Sequence, residues 1–352
     1  MPFVYPTAVE NRSIQQDFMS KNRAGRLGLD VMPEVTKNAP KVRWTQKDDY
    51  VGLQTLRGLD GAPTRVTRLG MKTFEYEPGV FGEFGDVTET ELLTRAGTLD
   101  VPSTPIDVSD LVGEWDDYLI IRELDRMESS VWTLLGTGVL QIILDGTDGT
   151  QIGYNDAYTP QTFTASPLWT NASTSTPIKD FQAVQQLGFA GGHSTDFGAA
   201  ATAYMTQYTA NLILNNQNTN DFGGRRAQYG ATINSLKDVA NYWQGQNLPK
   251  IVTYDSGYKI KPPSGTPYYT KFLQDGKVIV VGARPGNEAV GNYIITRNAN
   301  NGYRAGSYRY VIDRANGVNG EKRTPANIEI HRGHNGGPAI YYPSAVLVMT
   351  VG

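Results

Sequence analysis

The sequence predicts an α+β protein in which one long helix is set among strand-rich segments. Three observations carry that expectation. Apolar residues between positions 106 and 144 recur every three to four places, the spacing of a helix with one buried face. Runs such as Lys277-Val278-Ile279-Val280-Val281 and Ala345-Val346-Leu347-Val348-Met349 are short, rich in β-branched residues and bounded by turn formers, as strands are. The chain also holds 38 Gly and 19 Pro, an excess that punctuates it with turns and argues against an all-helical protein. At 352 residues, two or three folded regions are expected.

Residues 1–43 are polar and mixed, with a short helical candidate at 13–22 and a close at Asn38-Ala39-Pro40. Such an arm has too little apolar surface to fold alone, so it is either disordered or laid over something else. Residues 44–96 change character. Val42, Trp44 and Tyr50-Val51-Gly52-Leu53 read as an outgoing strand, residues 57–63 as a turn-rich tip, and Val66 through Tyr76 as the return. That is a long two-stranded excursion, and an isolated hairpin needs something to lie against. The stretch from Phe81 to Arg95 is extended and acidic.

The helix at 106–144 is capped by Asp107 or Ser109 and ended by Asp145-Gly146 and Asp148-Gly149, with Gly136 and Gly138 able to interrupt its last turns. Residues 158–320 read as an α/β region. Helices are expected at 180–187, 199–216 and 232–244, and strands at 251–254, 277–281 and 293–296. The continuous apolar run at 277–281 suggests burial on both faces. Further on, residues 327–331 alternate, Asn335-Gly336-Gly337-Pro338 turns, and 345–351 is a core-type strand, expected to pair near the long helix.

Composition narrows the function. With 32 basic and 35 acidic residues the net charge is −3, too balanced for a protein whose task is to coat nucleic acid. There is no cysteine, so disulfides and thiolate metal sites are excluded. The start of the sequence lacks the pattern of a signal peptide, and no apolar run approaches the roughly 20 residues a membrane span needs, so no membrane role is expected.

Candidate chemistry is sparse. His193 lies with Ser194 and Asp196, but triad members come from distant segments and no nucleophile elbow occurs, so it reads as a loop histidine. His331 and His334 with Glu329 lack the helix and spacing of a metalloprotease site. Asp145 and Asp148 lack the further acidic ligands of a calcium loop, and Arg225-Arg226 reads as a solvated pair. No phosphate-binding loop or dinucleotide fingerprint is present. No catalytic, cofactor-binding or metal-binding residue is therefore nominated, and a non-enzyme is expected. The 20 Tyr, 11 Phe and 5 Trp instead suit contact surfaces, where tyrosine gives area at low entropy cost.

Glu75-Tyr76-Glu77-Pro78-Gly79-Val80-Phe81, running through Glu89 to Leu93-Thr94-Arg95, resembles a stretch of the lambda-type major head protein family of tailed bacteriophages. The helix with Glu123, Arg126 and Met127 is similar to that family's spine helix. Trp169-Thr170 followed by Thr176-Pro177-Ile178-Lys179-Asp180-Phe181, the strand at 275–280 with Pro285-Gly286, and Tyr342-Pro343-Ser344-Ala345-Val346-Leu347 also resemble family segments. The resemblance spans most of the chain, and its specificity lies in the order of the parts.

It implies the major capsid protein fold shared by tailed phages and herpesviruses. On that plan residues 1–43 are an N-terminal arm and 44–100 an extended loop. Residues 101–157 are a peripheral domain with the spine helix, 158–310 an axial domain, and 311–352 a return to the peripheral domain. The implied function is self-assembly into hexamers and pentamers of an icosahedral head around double-stranded DNA, with scaffolding, portal and decoration proteins as partners. The implied location is the virion shell, assembled in the host cytoplasm. An encapsulin-like container, or a tail or baseplate protein, is the alternative. The loop tip at 56–66 has no lysine, and Lys47 and Lys72 lie lower on its arms, so covalent crosslinking through a tip lysine is not expected.

Overall fold

The computed structural model describes residues 23–46, 56, 57, 59–63, 72–88, 90, 108–142, 150–153, 158–190, 195–216, 246–260, 265–284, 288–313 and 327–352. The expected helices at 13–22 and 232–244 and the strand at 50–53 lie outside these residues.

In chain order, a short helix α1 (Leu27–Val31) precedes β1 (Glu34–Thr36) and β2 (Val42–Thr45). The return arm β3 (Thr73–Tyr76) pairs antiparallel with β2, and a long β4 (Gly79–Thr88) follows. Helix α2 (Val108–Thr137) leads to the hairpin of β5 (Val139–Ile142) and β6 (Thr150–Gly153). Then come β7 (Gln161–Thr164), α3 (Pro177–Ala190), β8 (Thr202–Met205), α4 (Gln207–Leu214) and β9 (Lys250–Thr253). Two further ribbons are β10 (Gly257–Ile260) with β11 (Tyr268–Lys271), and the pair β14 (Arg297–Asn298) with β15 (Arg304–Ala305). The remaining strands are β12 (Lys277–Val281), β13 (Gly291–Ile295), β16 (Tyr308–Asp313), β17 (Asn327–Ile340) and β18 (Val346–Thr350).

Two five-stranded sheets organise the chain. The first is built on β17, which pairs with β4 along residues 327–336 and with β16 along 328–333, so those two flank it on opposite edges. The far end of β17 pairs with β13, and β1 adds parallel to β13. The second sheet has the order β7-β18-β12-β8-β9.

Helix α2 joins the two sheets. At 1.5 Å per residue its 30 residues span about 45 Å. Leu111 and Leu119 pack with Val87, Ile328 and Ile330 of the first sheet. Further along, Met127, Val131 and Leu135 share a core with Ile279, Val281 and Val346 of the second. On the opposite face of that second sheet, Val278, Val280, Leu347 and Met349 pack with Phe181 and Val184 of α3 and Ala210 and Ile213 of α4. The run at 277–281 is therefore buried on both faces, as its continuous apolar character required.

Three expectations are corrected. The helix ends at Thr137, because Gly138 adopts φ +71° and residues 139–142 continue as a strand. Residues 199–216 are a strand followed by a helix: Thr202–Met205 pairs with β12, and Thr206 then caps α4 by accepting a hydrogen bond from the Thr209 nitrogen. Residues 335–338 do not turn, because β17 runs straight through them while pairing with β13. The strand at 346–350 pairs with β7 and β12 of the second sheet and lies near the long helix as expected, Val346 sharing a core with Val131 and Leu135 of α2.

Candidate functional site

The residues singled out for chemistry do not converge. His193, Asp145, Asp148, Arg225 and Arg226 lie outside the described residues. His331 and His334 sit three apart on β17, so their side chains leave opposite faces of the sheet. His331 Nε2 is 3.0 Å from Glu329 Oε2, and its ring stacks between Phe84 and Tyr310 in a ladder across three strands. His334 points the other way, under α2, where its Nε2 is 2.9 Å from the Tyr293 hydroxyl. Among the described residues no three histidines, aspartates or glutamates are grouped to hold a metal ion.

What the sequence places on the helix instead is a pair of buried acidic anchors. Glu123 lies on the face of α2 that packs on the first sheet. Arg332 of β17 donates to it at 2.6 Å, His334 Nδ1 lies at 3.1 Å, and Ser307 donates at 2.5 Å. Burial pushes the Glu123 carboxyl up, but the hydrogen bond from His334 and the Arg332 charge outweigh it and bring it down to about 2. Two turns earlier Asp116 pairs with Arg309 of β16 at 2.9 Å, and Arg332 Nη1 is 3.8 Å away. The helix is thus fixed to both β16 and β17 by charge as well as by packing.

Glu128 lies about three turns along from Asp116 and holds the N-terminal segment. It accepts hydrogen bonds from the backbone nitrogens of Gly28 and Leu29, from the Trp132 indole and from the Tyr254 hydroxyl, at 2.7 to 3.0 Å. Burial raises its affinity for a proton, while these donors oppose the rise. Arg26 adds an ion pair to Asp125 at 2.6 Å. Neither anchor was recognised in the sequence. The available signal was an acidic residue on the apolar stripe of a helix, Glu123 between Leu119 and Met127 and Glu128 between Leu124 and Trp132.

The excursion at 44–76 is held at its base. Trp44 stacks on Phe74 and meets Tyr76 edge-on, and the Tyr76 hydroxyl donates to the Pro338 carbonyl at 3.0 Å. At its tip Leu56 is 97% and Leu59 100% exposed. A tip that leaves two leucines in water gains by meeting another surface.

No protein-family model and no curated protein sequence matches the chain. Solved structures do. A phage-related protein from Bordetella bronchiseptica RB50 superposes with a TM-score of 0.54 at 10% identity, over 95% of this chain and 96% of that one. A protein assigned as the capsid protein of a prophage in Escherichia coli CFT073 superposes with a TM-score of 0.54 at 12% identity, over 97% and 98%. The chain has the tailed-phage capsid fold. In the capsid fold seen here, α2 is the spine helix bridging the two sheets, and the β2–β3 ribbon is the root of the extended loop.

Proposed function

We propose that this protein is the major capsid protein of a tailed bacteriophage, assembling into hexamers and pentamers of an icosahedral head around double-stranded DNA. The observation that carries the reading is a fold shared end to end with a protein assigned as a prophage capsid protein. The shape of the chain agrees with it. An excursion rooted in a two-stranded ribbon, with an unshielded apolar tip, is poorly suited to a monomer and well suited to lie across a neighbour. Each square ångström of apolar surface covered in that way contributes about 25 cal/mol, and a closed shell repeats the contact many times.

On this reading the protein is structural and has no reaction to catalyse. Residues 1–43 serve as an arm, 44–100 as the overlapping loop, 101–157 with 311–352 as the peripheral platform, and 158–310 as the axial domain. The partners are further copies of itself, with packaged DNA contacted without sequence preference, and with scaffolding, portal and decoration proteins during head assembly. Its place is the virion shell, built in the host cytoplasm.

Negative-stain microscopy of the purified recombinant protein tests the proposal. Closed shells or capsomer rings are expected. A compact monomer at high concentration would overturn it, and particles that enclose protein while excluding DNA would favour a cargo compartment instead.

A further inference from the structure

Strand β4 is ten residues long, and among the described residues it is paired along one edge only. That edge meets β17 along residues 79–88, and no other described backbone group bonds to residues 79–87. Successive side chains of a strand leave opposite faces of its sheet. Phe81, Glu83, Gly85 and Val87 face α2. There Arg126 lies over the Phe81 ring, Arg122 holds the Glu83 carboxylate, Trp115 fills the space beside Gly85, and Val87 shares a core with Leu111 and Leu119. Val80, Gly82 and Phe84 face away from the helix, where Val80 is 74% and Phe84 60% exposed. Gly79 and Gly85 are buried, so the open part of the edge runs from Val80 to Phe84 and is centred on Gly82.

A free edge of this length presents a row of N–H and C=O groups on which a further strand can pair. Proteins that keep such edges unpaired place lysine or proline on them, or break them with a bulge. β4 contains neither residue, and its register with β17 runs without a bulge. The charge of Glu83 is offset in place by Arg122, which donates to it through Nε and, at 2.6 Å, through Nη2. Arg122 also donates to the Tyr118 hydroxyl at 3.4 Å, and so brings Tyr118, 50% exposed, to the same edge on the helix side. Both faces of the edge therefore end in uncovered apolar surface, Val80 and Phe84 on one and the Tyr118 ring on the other.

We infer that β4 of one copy pairs antiparallel with β4 of a second copy across a two-fold axis at Gly82, joining their first sheets into one. The inference rests on the capsid reading for the presence of further copies and goes beyond it by naming one contact between them. The register follows from the sequence. Alternate residues of a strand point their N–H and C=O groups to opposite edges, so partners across a two-fold must share parity. The axis then passes through a residue that faces itself. At Phe81 it would set each Phe84 against Pro78, which has no N–H to give. At Glu83 it would set two carboxylates opposite each other, and at Phe84 it would carry the pairing into the buried Gly85 and Val87. At Gly82 each Val80 faces Phe84 of the second copy, giving two pairs of β-branched and aromatic side chains on one face. The same patch serves both copies, so the contact closes on itself, and both long helices stay on one side of the joined sheet.

The chain has no cysteine, so introduced thiols report the contact against no background. The full chain is prepared as Val80→Cys and as Phe84→Cys, and the two are mixed under reducing conditions, allowed to assemble and then oxidised. The mixture is expected to give disulfide-linked dimers on a non-reducing gel at least ten-fold above either variant alone, because position 80 faces position 84 and neither faces itself. A third variant, Val80→Lys with Phe84→Lys, sets like charges opposite each other. It is expected to lose at least ten-fold in assembled fraction by sedimentation velocity, with circular dichroism confirming that it is folded. A mixture that links no better than its components would overturn the inference, and is the result expected if another segment of the chain or another protein occupies this edge. Phe84→Cys linking to itself as strongly as the mixture, or a lysine variant that assembles like the parent, would overturn it as well. Shells formed in any of these cases leave the capsid reading standing. Linked dimers that build no shell would bear out this contact and overturn the capsid reading.

Discussion

Glu128, on the spine helix, accepts a hydrogen bond from the backbone nitrogen of Gly28, 100 residues earlier in the chain, at 2.7 Å. The contact leaves no room for a larger residue. A Cβ placed on Gly28 would lie 2.8 Å from both Glu128 Oε2 and Trp132 Nε1. Gly28→Ala is therefore expected to destabilise the protein by about 1–3 kcal/mol through overpacking. Glu128→Ala should cost more, on the order of 3–5 kcal/mol, because it strands four buried donors together. Urea unfolding of the two variants against the parent checks both values. The Glu128 carboxyl is raised in the folded state, so its own contribution is fully present below the ordinary carboxylate range and is lost as pH rises through the raised value.

Glu123 has the opposite sign. Its carboxyl is held at about 2, against an ordinary 4.5, so its contribution is present above 4.5 and is lost as pH falls from there toward 2. At about 1.36 kcal/mol per pH unit the loss amounts to roughly 3 kcal/mol. Denaturant titrations at pH 7, 4 and 2.5 should show this fall in the parent and a flatter profile in Glu123→Gln. An equal slope in both would show that Arg332 and His334 do not act through this carboxylate.

Gly337 is the seat of the Tyr76 ring, whose hydroxyl lies where a Cβ would stand. Gly337→Ala should lift Tyr76 and break its bond to Pro338, freeing the β2–β3 ribbon while β17 keeps its pairing with β13. Hydrogen exchange is the direct measurement: protection should fall at residues 42–45 and 73–76 and persist at 291–295.

Removing residues 52–69 should leave the spine helix and both sheets folded, since no described residue of the second sheet or of α2 belongs to the excursion. Closed shells should fail to form. Normal shells from that deletion, seen by microscopy, would remove the assigned role of the loop.

Much of the fold was legible where one physical cause acts alone. The run at 278–281 is apolar at every position because cores lie on both sides of its sheet, and no other local signal competes. The long helix was legible from its spacing, but its end was not: Val139-Leu140-Gln141-Ile142 continues the apolar period, and only the left-handed backbone at Gly138 breaks it. Asn335-Gly336-Gly337-Pro338 carries every local sign of a turn, yet its glycines serve close packing. Gly336 lies against Tyr293, Gly337 beneath Tyr76, and Pro338 sits in register with Tyr293. In α4 the capping hydroxyl of Thr206 and the burial of Ala210 and Ile213 override a strand-like run. The anchors Glu123 and Glu128 were hidden because their partners, Trp132 apart, lie 99 to 211 residues away, beyond what spacing can reveal.

Residues 346–350 lie between β7 and β12, about 180 residues after the first of these neighbours. Until they leave the ribosome, a strand-wide gap lined by apolar side chains separates two parts of the second sheet. A chain lacking them would be missing the middle of that sheet rather than an edge, with the apolar flanks of β7 and β12 left uncovered.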